Sequence, residues 1–287
     1  MKTERKTDKM KKIMRCILAA FLCSIMLFAV ACGLLGSTEE EKGAWLMVKE
    51  VYYGSEGSEL SRHEYEYDER GNNILHSYSL SSGTMFRMES EYDEKGRETI
   101  RRVFDGSSES LYEFTYYDAE NYCNWIASNE DGTVFNMGMI LYDENGNELS
   151  SSILNSDGTL FYRIEHEYDE SGSETAYRYY NSDGSILSWW ENEYDEAGRL
   201  IEQSAFDEGM DSALKYVYEY DESGCAVKAT CFDEDERVCG RIEYKYDENG
   251  TRVETIFFNT DNSVDSTIKY EYQFFENAPK SKENRNP

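Results

Sequence analysis

A five-residue pattern, Tyr-Asp-x-x-Gly, returns at almost constant spacing and constrains this chain more than any other feature. It occurs at Asp68 and Gly71, Asp93 and Gly96, Asp143 and Gly146, Asp169 and Gly172, Asp195 and Gly198, Asp221 and Gly224, and Asp247 and Gly250, each Asp preceded by Tyr. A degenerate copy begins at Tyr117-Asp118, with Asn121 in the glycine place, and successive tyrosines stand 25 or 26 residues apart. Such self-similarity is the signature of a repeat architecture. A second turn lies midway in most units, as in the identical Asn155-Ser156-Asp157-Gly158 and Asn181-Ser182-Asp183-Gly184. Asp-Gly and Asn-Gly steps supply the positive φ that tight hairpin turns need.

Between the turns the period is two. Arg241-Ile242-Glu243-Tyr244-Lys245-Tyr246 and Arg163-Ile164-Glu165-His166-Glu167-Tyr168 alternate polar and apolar residues, as a strand with one wet face does. Each unit is therefore a β-hairpin, and the span from Trp45 to Phe274 holds about nine of them, or roughly 18 strands. The fold expected is all-β, with repetitive antiparallel hairpins forming a long coiled sheet or a β-solenoid-like spiral, because an open sheet of that width curls. The first hairpin lacks the opening motif and the last lacks its Asp and Gly, so both read as caps. In the middle units Tyr112, Phe114 and Tyr116 oppose Leu111 and Tyr117, and Met137, Met139 and Leu141 oppose Ile140 and Tyr142. Strands apolar on both faces need cover on both faces, which predicts a partly enclosed middle.

Glu64-Tyr65-Glu66-Tyr67-Asp68-Glu69-Arg70-Gly71 and Glu193-Tyr194-Asp195-Glu196-Ala197-Gly198-Arg199-Leu200 resemble the YD repeat of RHS-type proteins over residues from about 60 to 275. The resemblance implies the simple hairpin-repeat fold, which large RHS and teneurin-like members wind into a spiral shell around a toxin or other cargo. This sequence is far shorter and shows no sign of the self-cleaving core segment or of a following domain. Toxin delivery is therefore not implied.

The N-terminus adds an address. Residues 1–15 carry seven basic and two acidic side chains, an apolar run follows from Cys16 to Ala31, and the run ends Phe28-Ala29-Val30-Ala31-Cys32-Gly33. The run is short for a spanning helix and fits a secretory signal. Its end resembles the bacterial lipoprotein box, with Ala29 where Leu is usual. The resemblance implies cleavage before Cys32, a diacylglyceryl group on the Cys32 sulfur, and a protein anchored by lipid at the extracytoplasmic face of a bacterial membrane. The expected organisation is a signal over 1–31, a lipidated Cys and polar tether over 32–43, hairpin repeats over 44–275 and a disordered tail over 276–287.

The full chain has a net charge of −29, and loss of residues 1–31 leaves 22 basic against 56 acidic residues, near −34. That acidity excludes nucleic acid as an expected partner. Cys123, Cys225, Cys231 and Cys239 remain in the exported body, at spacings unlike those of zinc knuckles. Cys231 and Cys239 flank a predicted turn, and a disulfide across that hairpin and two free thiols stand as alternatives. The acidic turns read as Asx-turns rather than a metal site, since Asp143-x-Asn145-x-Asn147 has a misplaced Gly146 for a calcium loop. No cofactor is expected beyond weak, non-specific calcium screening.

Trp189 and Trp190 are the sharpest candidate ligand-binding residues. As neighbours on a strand they face opposite ways, so one sits on the polar face near Glu191 and Glu193 as a stacking platform for a sugar ring. His63, His76 and His166 occupy different repeat positions without a shared pattern, and no catalytic motif is present. An outer-membrane barrel is disfavoured because Arg101, His166, Asn192 and Gln203 interrupt the face that would meet lipid. The expectation is a non-catalytic binding, adhesion or envelope scaffold with a carbohydrate or protein ligand at the cell surface. The alternatives are an envelope-polymer processing enzyme or accessory, and a purely structural envelope component.

Overall fold

The two-residue alternation becomes eighteen antiparallel strands in the computed structural model, which describes residues 43–207 and 213–278. The expected signal over 1–31, Cys32, the expected tether up to residue 42 and the tail beyond Ala278 lie outside the described residues. The strands are β1 (Ala44–Gly54), β2 (Glu59–Tyr67), β3 (Asn73–Leu80), β4 (Gly83–Tyr92), β5 (Glu98–Phe104) and β6 (Glu109–Tyr117). They continue with β7 (Tyr122–Asn129), β8 (Val134–Tyr142), β9 (Glu148–Asn155), β10 (Leu160–Tyr168), β11 (Glu174–Asn181) and β12 (Ile186–Tyr194). The last are β13 (Leu200–Asp207), β14 (Leu214–Tyr220), β15 (Ala226–Phe232), β16 (Val238–Tyr246), β17 (Arg252–Phe258) and β18 (Val264–Phe275).

Each strand pairs with its sequence neighbours, and β1 pairs with both β2 and β18, so the ring closes. The expected coiled sheet or solenoid-like spiral is overturned: the molecule is a closed 18-stranded antiparallel barrel. The physical reason lies in the two atypical ends. β1 and β18 are the longest strands, at 11 and 12 residues, and they pair from Ala44↔Phe275 to Gly54↔Ser266. What read as two caps is one seam, which leaves no row of unpaired backbone groups at a sheet edge.

The motif residues divide their work. Asp195 shows the turn: its N–H donates to the Arg199 carbonyl, and the Gly198 N–H donates back to the Asp195 carbonyl. Its carboxylate accepts the N–H groups of Ala197 and Arg199, both at 2.9 Å. Gly198 sits at φ 76°, in the left-handed region that favours glycine. This is a type I turn followed by a left-handed bulge residue, and the bulge gives the strands the twist a barrel needs.

The tyrosine serves the neighbouring strand. Tyr67, Tyr92, Tyr116, Tyr168, Tyr194, Tyr220 and Tyr246 donate their hydroxyls to the carbonyls of Met47, Asn73, Glu98, Glu148, Glu174, Leu200 and Ala226. All but the first of those acceptors stand two residues beyond a motif glycine or its counterpart, at the head of an odd-numbered strand. The bonds run 2.6–3.0 Å and satisfy carbonyls at one rim of the inner wall. In the degenerate unit Tyr116 takes this place. Tyr117 instead lies on the outer surface, stacked on Tyr122 at 4.4 Å.

Both ends of the described chain lie at this rim. β18 ends at Phe275, and the following turn packs buried Ala278 against Gly71, where an added Cβ would lie 2.7 Å from the Ala278 methyl. Gly138 on β8 is also fixed by close approach: the Trp125 indole lies over it, 2.4 Å from where a Cβ would stand.

Candidate functional site

The alternation places one residue set in the lumen and the other outside. Across β2–β4, His63, Tyr65, His76, Tyr78, Phe86 and Met88 are mutually opposed on the inner wall. Arg62, Glu64, Arg87 and Glu89 occupy the outer parity. Arg101, His166, Asn192 and Gln203 therefore line the lumen with the tyrosines, while the outer wall bears the charge. Ion pairs cover that outer wall, among them Lys49–Glu271 at 2.7 Å, Arg178–Glu191 at 2.9 Å and Lys228–Glu219 at 2.7 Å. Such a surface suits water and not hydrocarbon.

Three polar constellations stand inside. His63 and His76, which showed no shared pattern in the sequence, meet at 2.8 Å between Nδ1 and Nε2. Tyr65 stacks on His76 with ring centroids 4.7 Å apart, and Tyr78 flanks His63. Burial pushes both imidazoles down to about 4, and for His63 the neighbouring His76 adds to the effect. Both rings are therefore neutral at pH 7, and one N–H donates to the other ring's lone pair. Nearby, Glu50 on β1 is 3% exposed and accepts the Tyr52 hydroxyl at 3.0 Å; burial holds its carboxyl up at about 7.

The second constellation joins three strands. His166 Nδ1 on β10 is hydrogen-bonded to Glu174 on β11, and its Nε2 lies 3.9 Å from Glu148 on β9. Burial raises the Glu148 carboxyl, opposed by His166. An imidazole between two carboxylates can hold or pass a proton, and Tyr177 packs edge-on against the His166 ring at 5.2 Å. The third is Arg252 on β17, 4% exposed, whose guanidinium lies 4.7 Å from the centre of the Tyr244 ring.

The expected site residues fall as follows. Trp190 points inward, its ring stacked on Tyr177 with centroids 3.6 Å apart, and Trp189 points outward, half-buried beside Phe206. Trp189 thus shares the charged outer face with Glu191 and Glu193, as the alternation predicts, and Trp190 is covered inside. Cys231 on β15 and Cys239 on β16 are joined by a disulfide with Cα atoms 5.4 Å apart. Cys123 is a buried free thiol whose pKa burial raises, which makes it inert rather than nucleophilic. The turn aspartates are occupied by backbone N–H groups, as at Asp143, whose carboxylate accepts from Asn145 and Asn147 at 2.8 Å. Among the described residues no group of three or more His, Cys, Asp or Glu side chains is arranged to hold a metal ion. The histidine and glutamate groupings were missed because their partners stand across strand pairs. The signal that finds them is the register, which places His76 opposite Tyr65 and His166 opposite Tyr177.

No family model matches this sequence, and no curated protein matches it. Among solved structures it is similar to a porin-like protein from Bacteroides uniformis, with a TM-score of 0.46 and 10% identity over 79% of this chain and 98% of that one. It is also similar to a porin-like protein from Bacteroides vulgatus, with a TM-score of 0.29 and 9% identity over 79% of this chain and 98% of that one. A third likeness is to the crystal structure of TcdB2-TccC3 without its hypervariable C-terminal region, with a TM-score of 0.30 and 12% identity over 74% of this chain and 16% of that one.

Proposed function

We propose that this chain is a short YD-repeat lipoprotein of the bacterial envelope, held by a lipid on Cys32, whose barrel stands in water as a non-catalytic scaffold. One observation supports the reading: the barrel closes with its charged residues outside and its tyrosines inside, a wall unsuited to a bilayer, so attachment to a membrane falls to a separate anchor. The lipoprotein-like sequence ending at Cys32 supplies one. Gly43 lies at the tyrosine-capped rim, against Phe274 and Phe275, and the eleven residues from Cys32 to Gly43 span at most about 38 Å. That rim then faces the membrane and the opposite rim faces away.

The test is fractionation of the full chain carrying Cys32→Ala. The variant is expected in the soluble fraction with its fold intact. Retention in the membrane to the wild-type extent would defeat the anchor. A second reading, ligand capture in the lumen, is favoured by the Glu148–His166–Glu174 arrangement, which gathers titratable groups from three strands. It predicts that His166→Ala abolishes binding of envelope glycans on an array, whereas a scaffold shows no glycan binding to lose.

A further inference from the structure

Most of the outer wall is charged strand by strand: β10 presents Arg163, Glu165 and Glu167, and β16 presents Arg241, Glu243 and Lys245. β3 presents Leu75, Ser77 and Ser79, flanked by charged strands, and β7, β8 and β9 break this rule as a run of three. Register and burial turn Cys123, Trp125, Ala127 and Gly138 inward, so the alternate residues of these three strands face out. Not one is charged. Ile126, Met139 and Leu141 are 47%, 39% and 36% exposed, with Tyr122, Met137 and Leu154 beside them. The lumen covers the inner face of these doubly apolar strands, and the outer face is left without cover.

We propose that this stripe is the contact surface for a second copy of the chain, related by a two-fold axis running along β8, so that the two β8 strands lie parallel. The borders of the stripe carry the argument. On the β6 side stands exposed Glu113, opposite Ile126 and in the row Ile126–Met137–Leu154; no ion pair involves it among the described residues. On the β10 side stands Arg163, in the adjoining row Asn124–Met139–Ser152–Arg163. A two-fold axis along β8 brings β6 of one copy over β10 of the other. Glu113 then meets the partner's Arg163 twice over, and Met139 meets its own copy near the axis. The rows differ by one step of about 7 Å along the strand, within reach of an arginine side chain.

The borders select this occupant over lipid: a bilayer offers Glu113 no fixed cation and Arg163 nothing in return for its own Glu165 at 3.1 Å. A second copy supplies the opposite charge at each border. Three strands make a stripe only ~14 Å wide, so the contact belongs to the small, reversible class of interfaces. The inference does not depend on the lipid anchor, since the contact is made by the barrel wall alone.

The test uses the full chain in neutral detergent. Met139→Cys under mild oxidation is expected to give a disulfide-linked dimer, whereas Glu219→Cys, exposed on β14, is expected to stay monomeric. In the Met139→Cys background, Glu113→Arg and Arg163→Glu should each cut the dimer yield about fivefold or more, and the two together should restore it. Equal yields at Met139→Cys and Glu219→Cys, or no recovery in the double charge swap, would overturn the proposal. So would a polarity-sensitive dye on the Met139→Cys variant that responds to neutral phosphatidylcholine vesicles while the chain stays monomeric, since the stripe would then be a membrane contact.

Discussion

The two rims of the barrel turn the chain in the same way and differ in one residue. At the tyrosine-capped rim the Asp195 turn is closed by its own carboxylate and by Gly198, and Tyr194 crosses to the carbonyl of Glu174 on the preceding hairpin. At the opposite rim the Asn155 turn has the same backbone pattern, with Gly158 N–H donating to the Asn155 carbonyl and Asp157 accepting from Thr159. At that rim bonds between successive hairpins are irregular, as where Glu130 accepts the Glu109 N–H at 3.1 Å or Arg241 is bonded to Asn262. The difference separates two jobs: reversing the chain is local at both rims, whereas a repeated hydroxyl-to-carbonyl bond holds one hairpin to the last at the tyrosine-capped rim. Sequence drift follows this division. Glycine holds the left-handed place in every described turn of the capped rim except at Asn121, while at the other rim Glu236 and Asn262 occupy it at φ 60° and 67°.

What the rims share should fail together in acid. Backbone N–H groups hold Asp195 below the usual carboxylate range at one rim, and those of Ser107 and Ser108 hold Asp105 at about 2 at the other. A carboxyl depressed in the folded state contributes stability above its unfolded pKa and loses it as pH falls through the folded value. Glu50, raised to about 7 by burial, works the other way, and its contribution fades as pH climbs from about 4.5 to 7. His63 and His76, both held at about 4, lose stability as pH falls from about 6.5 to 4, and together they outweigh Glu50 over that range. Thermal melts are therefore expected to peak near pH 7, to decline towards pH 4 and to collapse between pH 4 and 2, the largest effect in this set. A melting temperature flat from pH 5 to 2 would remove the Asx-turn account at both rims.

What separates the rims should show in single substitutions. Tyr220→Ala removes a half-buried ring and its bond to the Leu200 carbonyl, and should cost about 3–4 kcal/mol in denaturant unfolding. Tyr220→Phe should cost about 1 kcal/mol, and Tyr194→Phe less, because the Glu174 carbonyl keeps the Asn192 side-chain amide at 2.9 Å. Equal costs for the two Phe variants would mean that the hydroxyls do not hold the hairpins. The smallest effect has the opposite sign. Glu236→Gly relieves a left-handed glutamate and should stabilise by up to about 1 kcal/mol, measured by the same unfolding curve.

The strands, the turns and the inward column of tyrosines were legible in the sequence because each is set by residues within one unit. Closure was not, because the partner of Trp45 is Phe274, 229 positions away, and no periodicity links them. The absence of the motif at both ends was visible, yet two caps and one seam leave the same trace. The degenerate unit misled by one residue: Tyr117 and Tyr122 pair without the bulge that shifts the regular units, so the inward tyrosine is Tyr116. Polar residues on the tyrosine face looked like interruptions of a lipid-facing wall. In the barrel they satisfy one another, Gln203 donating to Asn192 at 2.9 Å and Arg101 to Glu98 at the same distance. The Trp189–Trp190 parity was readable, but the Tyr177 ring that covers Trp190 belongs to the neighbouring strand.

The central claim is closure, and backbone amide exchange reads it most directly. In a closed barrel β1 and β18 have partners on both sides, so the amides of each strand that point at the other should be protected to the same extent as those of interior strands such as β10 and β11. Rapid exchange of the amides on the facing sides of β1 and β18, with β10 and β11 still protected, would show two free edges and contradict the barrel.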